Sequence, residues 1–294
     1  MRGSSRSSAA AVEEAFAAKL DSGGRADAGG VTGVVGRAVD RVLGKTVDRQ
    51  QLGEDLFAAT SAIDGTISLR RAIADPSRPG DAKAAVVDRL FRGKIDDDAL
   101  DIVKVAAAQR WSEERDLTDM LESLAVSAVV AAAEQDGRAD QMEDELFRFE
   151  RIVAGNPGLR DALTDRRASA EGKVRLVASL LEGKATPETQ RLVRQAVGSP
   201  RGRRFDRVLE SYLGIAATRR DQLTATVTTA VDLEDEQRRR LAAALSNFYG
   251  GRKVHLNVVV DPAVIGGIRV QIGDDVVDGT ILRRLEAAKR HLGT

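Results

Sequence analysis

Histidines are the first residues to consider for acid–base or metal chemistry in this chain. His255 and His291 are the two histidines of the sequence, which contains no cysteine. A metal centre needs several ligands that converge on one point, and a nucleophile–base–orienter triad needs a well-placed base. Two histidines this far apart favour neither a metal centre nor a triad hydrolase.

Aspartates near the end of the chain form a second group of residues that could take part in chemistry. The four are Asp261, Asp274, Asp275 and Asp278. Carboxylates in such a group could hold a divalent ion. Aspartates at strand ends also cap turns and helices, and Asp278 precedes a predicted helix that begins near Thr280. We interpret the four as caps and expect no metal and no cofactor.

Two glycine-containing fragments resemble phosphate-binding motifs without their spacing. Residues 44–46 (GKT) match the end of a P-loop, but Val39 stands where the first glycine of that motif is required. The glycines at positions 30, 33 and 36 miss the spacing of the dinucleotide fingerprint. We interpret residues 21–36 as a glycine-rich loop instead of a nucleotide site.

A dense basic patch is the remaining candidate binding site. It consists of Arg201, Arg203, Arg204 and Arg207. Basic surfaces bind nucleic acid best when aromatic residues are interleaved for base stacking, and here Phe205 already belongs to an apolar helical stripe. The patch therefore favours pairing with acidic groups of a protein partner, with RNA as the alternative.

Composition limits the classes of protein further. The 45 basic and 45 acidic residues cancel, so no overall field attracts nucleic acid or an acidic membrane. No stretch approaches the roughly 18 apolar residues that span a bilayer. Aromatic residues are 3% of the chain, and the abundance of alanine and leucine predicts helices packed through aliphatic side chains.

An internal repeat organises the elements that would position these residues. Residues 51–94 match residues 141–184 without a gap, with identities such as Leu56/Leu146, Phe57/Phe147 and Lys83/Lys173. An ungapped match of this length indicates duplication of a helical domain.

Apolar spacing predicts helices throughout the repeated region. One stripe is Met142, Leu146, Phe149 and Val153, another is Leu117, Met120, Leu121, Leu124 and Ala128, and a third runs from Phe205 to Ala216. Such spacing is typical of amphipathic helices. Glycine and proline interrupt the pattern near residues 76–80, 155–158 and 199–202, which predicts short turns between helices.

The period changes to alternation after about residue 221. Alternating apolar residues in 223–230, 254–260 and 268–272 predict half-buried strands. Between the first two, Glu234 to Tyr249 is predicted to be a helix with Leu241, Leu245 and Phe248 on one apolar face. We predict a mainly α fold with tandem helical bundles and a small β-α-β-β-α domain. The predicted domains are residues 1–117 (first copy), 118–220 (second copy) and 221–294.

The segment from Val258 to Leu285 carries a recognisable signature, VVVDPAVIGGIRVQIGDDVVDGTILRRL. It resembles the hallmark of the F-type ATP synthase delta subunit family, which includes the mitochondrial oligomycin-sensitivity-conferring protein. The hallmark positions here are Asp261, Pro262, Gly266, Gly267, Asp278 and Gly279. Physically, the glycines permit a tight reversal or a positive φ, and the proline ends a strand. We therefore assign these residues a structural role.

The resemblance implies a non-catalytic stator subunit without cofactors. In the family, the N-terminal bundle binds N-terminal segments of the alpha subunits, and the C-terminal domain binds the b subunit of the peripheral stalk. It implies a place on the cytoplasmic face of the bacterial plasma membrane, reached indirectly through the complex, and no nucleic-acid partner.

The chain departs from the common family pattern by its first copy, residues 1–117. Such longer forms resemble those of actinobacteria. The second copy adjoins the C-terminal domain as in shorter relatives, which favours it as the bundle that binds alpha. The alternative reading is a helical-repeat cytosolic adaptor that binds RNA or another partner through the arginine patch.

Overall fold

Aliphatic residues at helical spacing fold most of the described chain into helices. The structure is a computed structural model that describes residues 3–22, 47–165, 167–220, 223–249, 254–261, 264, 266–272 and 275–278. It divides into two compact units, Met1–Ala216 (the helical unit) and Ala217–Thr294 (the sheet unit). The described helices are α1 (Ser4–Ser22), α2 (Arg49–Gly65), α3 (Ile67–Ala74), α4 (Gly80–Phe91), α5 (Asp97–Ala108), α6 (Glu114–Gln135), α7 (Ala139–Gly155), α8 (Pro157–Thr164), α9 (Ala170–Leu181), α10 (Pro187–Gly198), α11 (Phe205–Arg220) and α12 (Asp235–Phe248).

Short polar side chains begin several of these helices. Their oxygen atoms accept hydrogen bonds from backbone N–H groups of the first turn, as N-caps do; the residues are Asp48, Asp96, Asn156, Ser169 and Thr186. The predicted apolar stripes are confirmed. On α7, for example, the buried residues are Met142, Leu146, Phe149 and Val153.

The internal repeat is present in the structure. Helices α2 to α5 are each followed, 90 residues later, by the corresponding helix of the series α7 to α10. A hydrogen-bond network repeats as well. Asp55 accepts from the Gln51 side chain and from the backbone N–H of Asp96. Glu145 accepts in the same way from Gln141 and Thr186. The duplicated sequence thus forms duplicated structure down to single contacts.

Helix α6 serves both copies. It follows α5 as α11 follows α10, and it precedes α7 as α1 precedes α2. Fourteen of its residues are buried, because it packs between helices of the two copies. Gly53 of α2 is part of this packing, since a Cβ there would lie 2.9 Å from Val129 and 3.3 Å from the Ala125 carbonyl.

Described buried residues of both copies form one continuous apolar core, from Val12 on α1 to Ala216 on α11. The predicted boundary at residues 117/118 falls inside α6 and within the helical unit. The other predicted boundary, 220/221, lies four residues from the division between the units. The three-domain division remains a prediction about how the sequence is organised.

The sheet unit contains four described strands: β1 (Leu223–Thr229), β2 (Val254–Val260), β3 (Ile268–Ile272) and β4 (Asp275–Asp278). Their order is β2-β1-β3-β4. Strand β1 pairs in parallel with β2 and antiparallel with β3, so that Val227 lies between Val258 and Val270. The mainly α class with a small α/β C-terminal unit is confirmed, and β4 is a strand that the sequence pattern did not predict.

The sheet unit has its own core. Its buried members are Ala225, Val227, Val254, Val270 and Ile272, and Leu241, Leu245 and Tyr249 of the α12 region pack against them. The prediction that Phe248 shares the apolar face of this helix is wrong, because its side chain is 77% exposed. Tyr249 takes that place. Residues 21 and 22 of the predicted loop belong to the end of α1. The rest of the loop predicted at 21–36, and the helix predicted from about residue 280, lie outside the described residues.

Candidate functional site

Arg201 and Arg203 converge on a buried carboxylate. The Arg201 guanidinium donates to one oxygen of Glu122 at 2.7 Å, and Arg203 donates to the other at 2.6 Å. The hydroxyl of Tyr212 donates to Glu122 at 2.8 Å. The Glu122 side chain is 3% exposed, so these bonds compensate a charge that is removed from water.

Two further acids complete the surroundings of Arg201. Its guanidinium lies 2.9 Å from Asp119 on α6 and 3.4 Å from Asp64 at the end of α2. Burial lowers the pKa of Arg201, but the carboxylates of Asp119, Glu122 and Asp64 outweigh burial and raise it above its ordinary value. The backbone φ of Arg201 is 53°, a conformation that costs energy in residues other than glycine. The cluster therefore fastens the turn before α11 to α2 and α6.

Tyr212 is held neutral in this cluster. Burial, followed by the negative charge of Glu122, raises its pKa well above 10.0. The phenol therefore remains a hydrogen-bond donor to Glu122 throughout the physiological range of pH.

Arg204 and Arg207 form the exposed half of the predicted patch. Their side chains are 78% and 71% exposed and pair with Asp206 and Glu210 in the same segment. The patch stays a prediction as a partner-binding surface. Of its four residues, Arg204 and Arg207 are exposed to solvent, whereas Arg201 and Arg203 bind Glu122 inside the helical unit.

The acidic members of the cluster were missed by reasoning from sequence. Glu122 lies in the middle of an otherwise apolar and small stretch of α6, where an acid is expected to be buried with a partner. That position was an available signal. Its partner could not be identified from spacing, because Arg201 is 79 residues away.

A second polar contact joins the two copies. Arg191 of α10 donates to Glu54 of α2, and its guanidinium carbon lies 4.4 Å from the ring centre of Phe57. Phe57 is 1% exposed. An arginine over an aromatic face and beside a carboxylate is held by both cation–π and ionic attraction.

The hallmark glycines lie at the entry to β3. Gly266 and Gly267 have φ values of 149° and 87°, in the region that side chains disfavour. The Asp261 backbone N–H donates to the Thr229 carbonyl at 2.8 Å, and the Asp261 carbonyl accepts from Val264 at 3.0 Å. These contacts hold the end of β2 beside β1 and start the reversal towards β3.

The remaining hallmark residues are less fully described. Asp278 ends β4, with its backbone opposite Arg269 of β3. Pro262 and Gly279 lie outside the described residues. The structural role of the hallmark stays a prediction.

Most residues considered above for a metal site or a nucleotide site are not described by the structure. Asp274, His291 and residues 44–46 lie outside the described chain, and the side chains of His255, Asp275 and Asp278 are also undescribed. Within the residues that the structure covers, no group of three or more histidine, aspartate or glutamate side chains is placed to hold a metal ion.

None of the helices described above is both long and apolar enough to cross a bilayer.

Comparison with known proteins gives consistent matches. The sequence model of the family described as ATP synthase delta (OSCP) subunit matches residues 125–292. A protein named ATP synthase subunit delta from Kineococcus radiotolerans is 52% identical over 245 residues, which cover 83% of this chain and 88% of that protein. Its namesake from Streptomyces avermitilis is 50% identical over 85% of this chain and 91% of its own length.

A third relative matches almost the whole length of the chain. The protein named ATP synthase subunit delta from Parafrankia sp. is 43% identical over 292 residues and covers 99% of both chains. The long form is therefore shared with these relatives.

Proposed function

The chain belongs to the ATP synthase delta (OSCP) subunit family, and from this membership we propose that it joins the catalytic head of the enzyme to the peripheral stalk. It is a stator subunit of an F-type ATP synthase. In this role it resists rotation of the alpha/beta head, so that turning of the central shaft drives synthesis. The observation that carries the proposal is the match over 99% of the chain to a delta subunit.

The chain performs no reaction in this proposal. The buried cluster around Glu122 fits that view, because Glu122 is saturated by Arg201, Arg203 and Tyr212 of the same chain. A catalytic carboxylate needs an unsatisfied face towards its substrate. The cluster instead has the features of a structural ionic network.

The second copy binds an N-terminal segment of an alpha subunit. Support comes from the family match, which begins at residue 125 on α6 and continues through the second copy. Amphipathic helices commonly bind in grooves of helical bundles. Deleting residues 1–115 would not test this binding cleanly. The deletion would remove α2, including Gly53, and so expose the face of α6 that α2 covers.

The sheet unit binds the b subunit. Strand β4 lies at one edge of the sheet, and Val276 and Val277 on it are 43% and 55% exposed. Apolar side chains on an edge strand are a liability in a free protein and a natural docking surface in a complex. Through the b subunit the chain is placed on the cytoplasmic face of the plasma membrane.

Affinity purification of the full tagged chain from detergent-solubilised membranes tests the proposal. Mass spectrometry should identify alpha and b subunits at amounts comparable to the chain. Recovery of neither subunit would overturn the assignment.

The RNA alternative predicts a different result, namely RNA binding that weakens steeply with salt. It is tested with Arg204→Ala and Arg207→Ala, since these arginines are exposed. Arg201 and Arg203 are unsuitable, because replacing them would disrupt the Glu122 cluster.

A further inference from the structure

The contact between the two copies shows what one face of α2 accepts. Glu54 and Phe57, one turn apart, receive the guanidinium of Arg191 from the neighbouring copy. Arg191 is 16% exposed in this position. The acid neutralises the charge while the ring covers its flat face.

The repeat places the same pair of residue types on α7. Asp144 and Phe147 stand 90 residues after Glu54 and Phe57, at the same spacing along the corresponding helix. Here the ring is 52% exposed. The Asp144 side chain is 51% exposed and lies 2.6 Å from Arg148 of its own helix.

The difference in burial has a cause in the chain order. The first copy is followed by a second copy, which supplies Arg191. The second copy is followed by the sheet unit, so no third copy brings an arginine to α7. Stacked repeats bury such faces against the next repeat, and the last repeat presents its own face outwards.

Sequence differences at this face limit how closely an occupant can approach. Gly53, which allows α6 to approach α2 closely, is replaced on α7 by Glu143, and Thr60 is replaced by Glu150. An occupant of the α7 face must therefore lie farther away than α6 does from α2. Two basic residues are added on the same helix, since Ala58 and Ser61 are replaced by Arg148 and Arg151, so the preference for an arginine rests on the Asp144–Phe147 pair.

We propose that Asp144 and Phe147 form a receptor for an arginine on an amphipathic helix of another ATP synthase subunit. The inference rests on the proposed function, which supplies the neighbouring subunits. The incoming guanidinium takes the place of Arg148 beside Asp144 and lies over the Phe147 ring. Exchanging one exposed ion pair for another costs little, and covering the ring adds apolar contact.

Thiol labelling in the assembled enzyme tests this receptor. The chain has no cysteine, so Arg151→Cys introduces a unique thiol one turn from Phe147 on the same helical face. Ile152→Cys is the matched control, since Ile152 is 57% exposed on the same helix but points about 140° away from Phe147. Maleimide labelling is compared between the free chain and the purified ATP synthase.

We expect labelling at position 151 to slow by about tenfold or more in the enzyme, because thiol reaction requires exposure. The control at position 152 should change little. Adding Phe147→Ala or Asp144→Asn to the Arg151→Cys chain should restore fast labelling in the enzyme. These exposed residues can be replaced without disturbing the core, so the loss of protection would report the receptor itself.

A benzophenone attached to the thiol at position 151 identifies the occupant. A cross-link to an arginine-containing helical segment of another subunit supports the proposal. Equal labelling in the free and assembled states would overturn it, as would protection that survives Phe147→Ala. A cross-link to a second copy of this chain, or to a segment without arginine, would do the same.

The two proposals fail in distinguishable ways. If the chain enters the enzyme and position 151 remains fully reactive, the receptor is wrong and the stator assignment stands. If alpha and b subunits are never recovered with the chain, the stator assignment fails and the receptor fails with it.

Discussion

At the scale of single residues, Glu122 is a buried charge on which several contacts of the fold depend. It balances Arg201 and Arg203 inside the helical unit and accepts the hydroxyl of Tyr212. Breaking a buried ion pair leaves an uncompensated charge away from water, which is more costly than the net benefit of the pair. The cluster is therefore a point of high sensitivity in a chain with many interchangeable surface charges.

We predict that Glu122→Gln lowers the free energy of unfolding by about 3 kcal/mol, near the lower end of the range for broken buried pairs. The lower end applies because Asp119 and Asp64 remain near Arg201. Urea denaturation followed by circular dichroism measures the change.

The matched control is Glu210→Gln, which breaks the exposed pair with Arg207 and should cost no more than about 1 kcal/mol. Similar effects of the two substitutions would show that the buried cluster is not a special source of stability.

At the scale of elements, the sequence was most informative where local pattern decides the structure. The repeat, the apolar stripes and the glycine-proline turns predicted the helices of both copies, because helices depend on spacing within a few turns. Strand β4 was missed, since its four residues include two aspartates that favour turns. Its pairing with β3 overrides that local preference.

Packing between elements could not be read from the repeat. The two copies share a pattern, yet α2 is buried on two faces and α7 on one. The difference arises because α6 and Arg191 cover α2, which requires contacts between distant parts of the chain. The same limitation applied to Arg201 and Arg203, whose partners lie on α6 and α2.

Gly53 determines how closely α2 and α6 approach. We predict that Gly53→Ala destabilises the helical unit by about 1–3 kcal/mol, as overpacking of a close contact does. This outcome opposes the gain that alanine normally gives inside a helix. Thermal or urea unfolding of the full chain measures whether Gly53→Ala lowers or raises the free energy of unfolding.

Gly65→Ala is the control on the same helix, because a Cβ at Gly65 meets no atom within 4 Å. It should be neutral or stabilising by up to about 1 kcal/mol. A stabilising effect of Gly53→Ala would contradict the close packing of the two helices.

At the scale of the whole molecule, duplication of sequence has not produced two separate cores. The buried residues of both copies are continuous through α6, whereas the sheet unit has its own buried cluster. A brace that transmits torque benefits from such continuity, because force applied to one copy reaches the other without a flexible joint.

Cooperative unfolding of the two copies follows from their shared core. Trp111, the single tryptophan, is buried in the first copy and reports its unfolding by fluorescence. We predict that Leu192→Ala in the second copy, at a side chain with no exposure, lowers the stability seen by Trp111 by about 2–5 kcal/mol. Val227→Ala in the separate core of the sheet unit should leave the Trp111 transition in place. If Leu192→Ala also left it unchanged, the copies would unfold independently, and the helical unit could not act as one rigid brace.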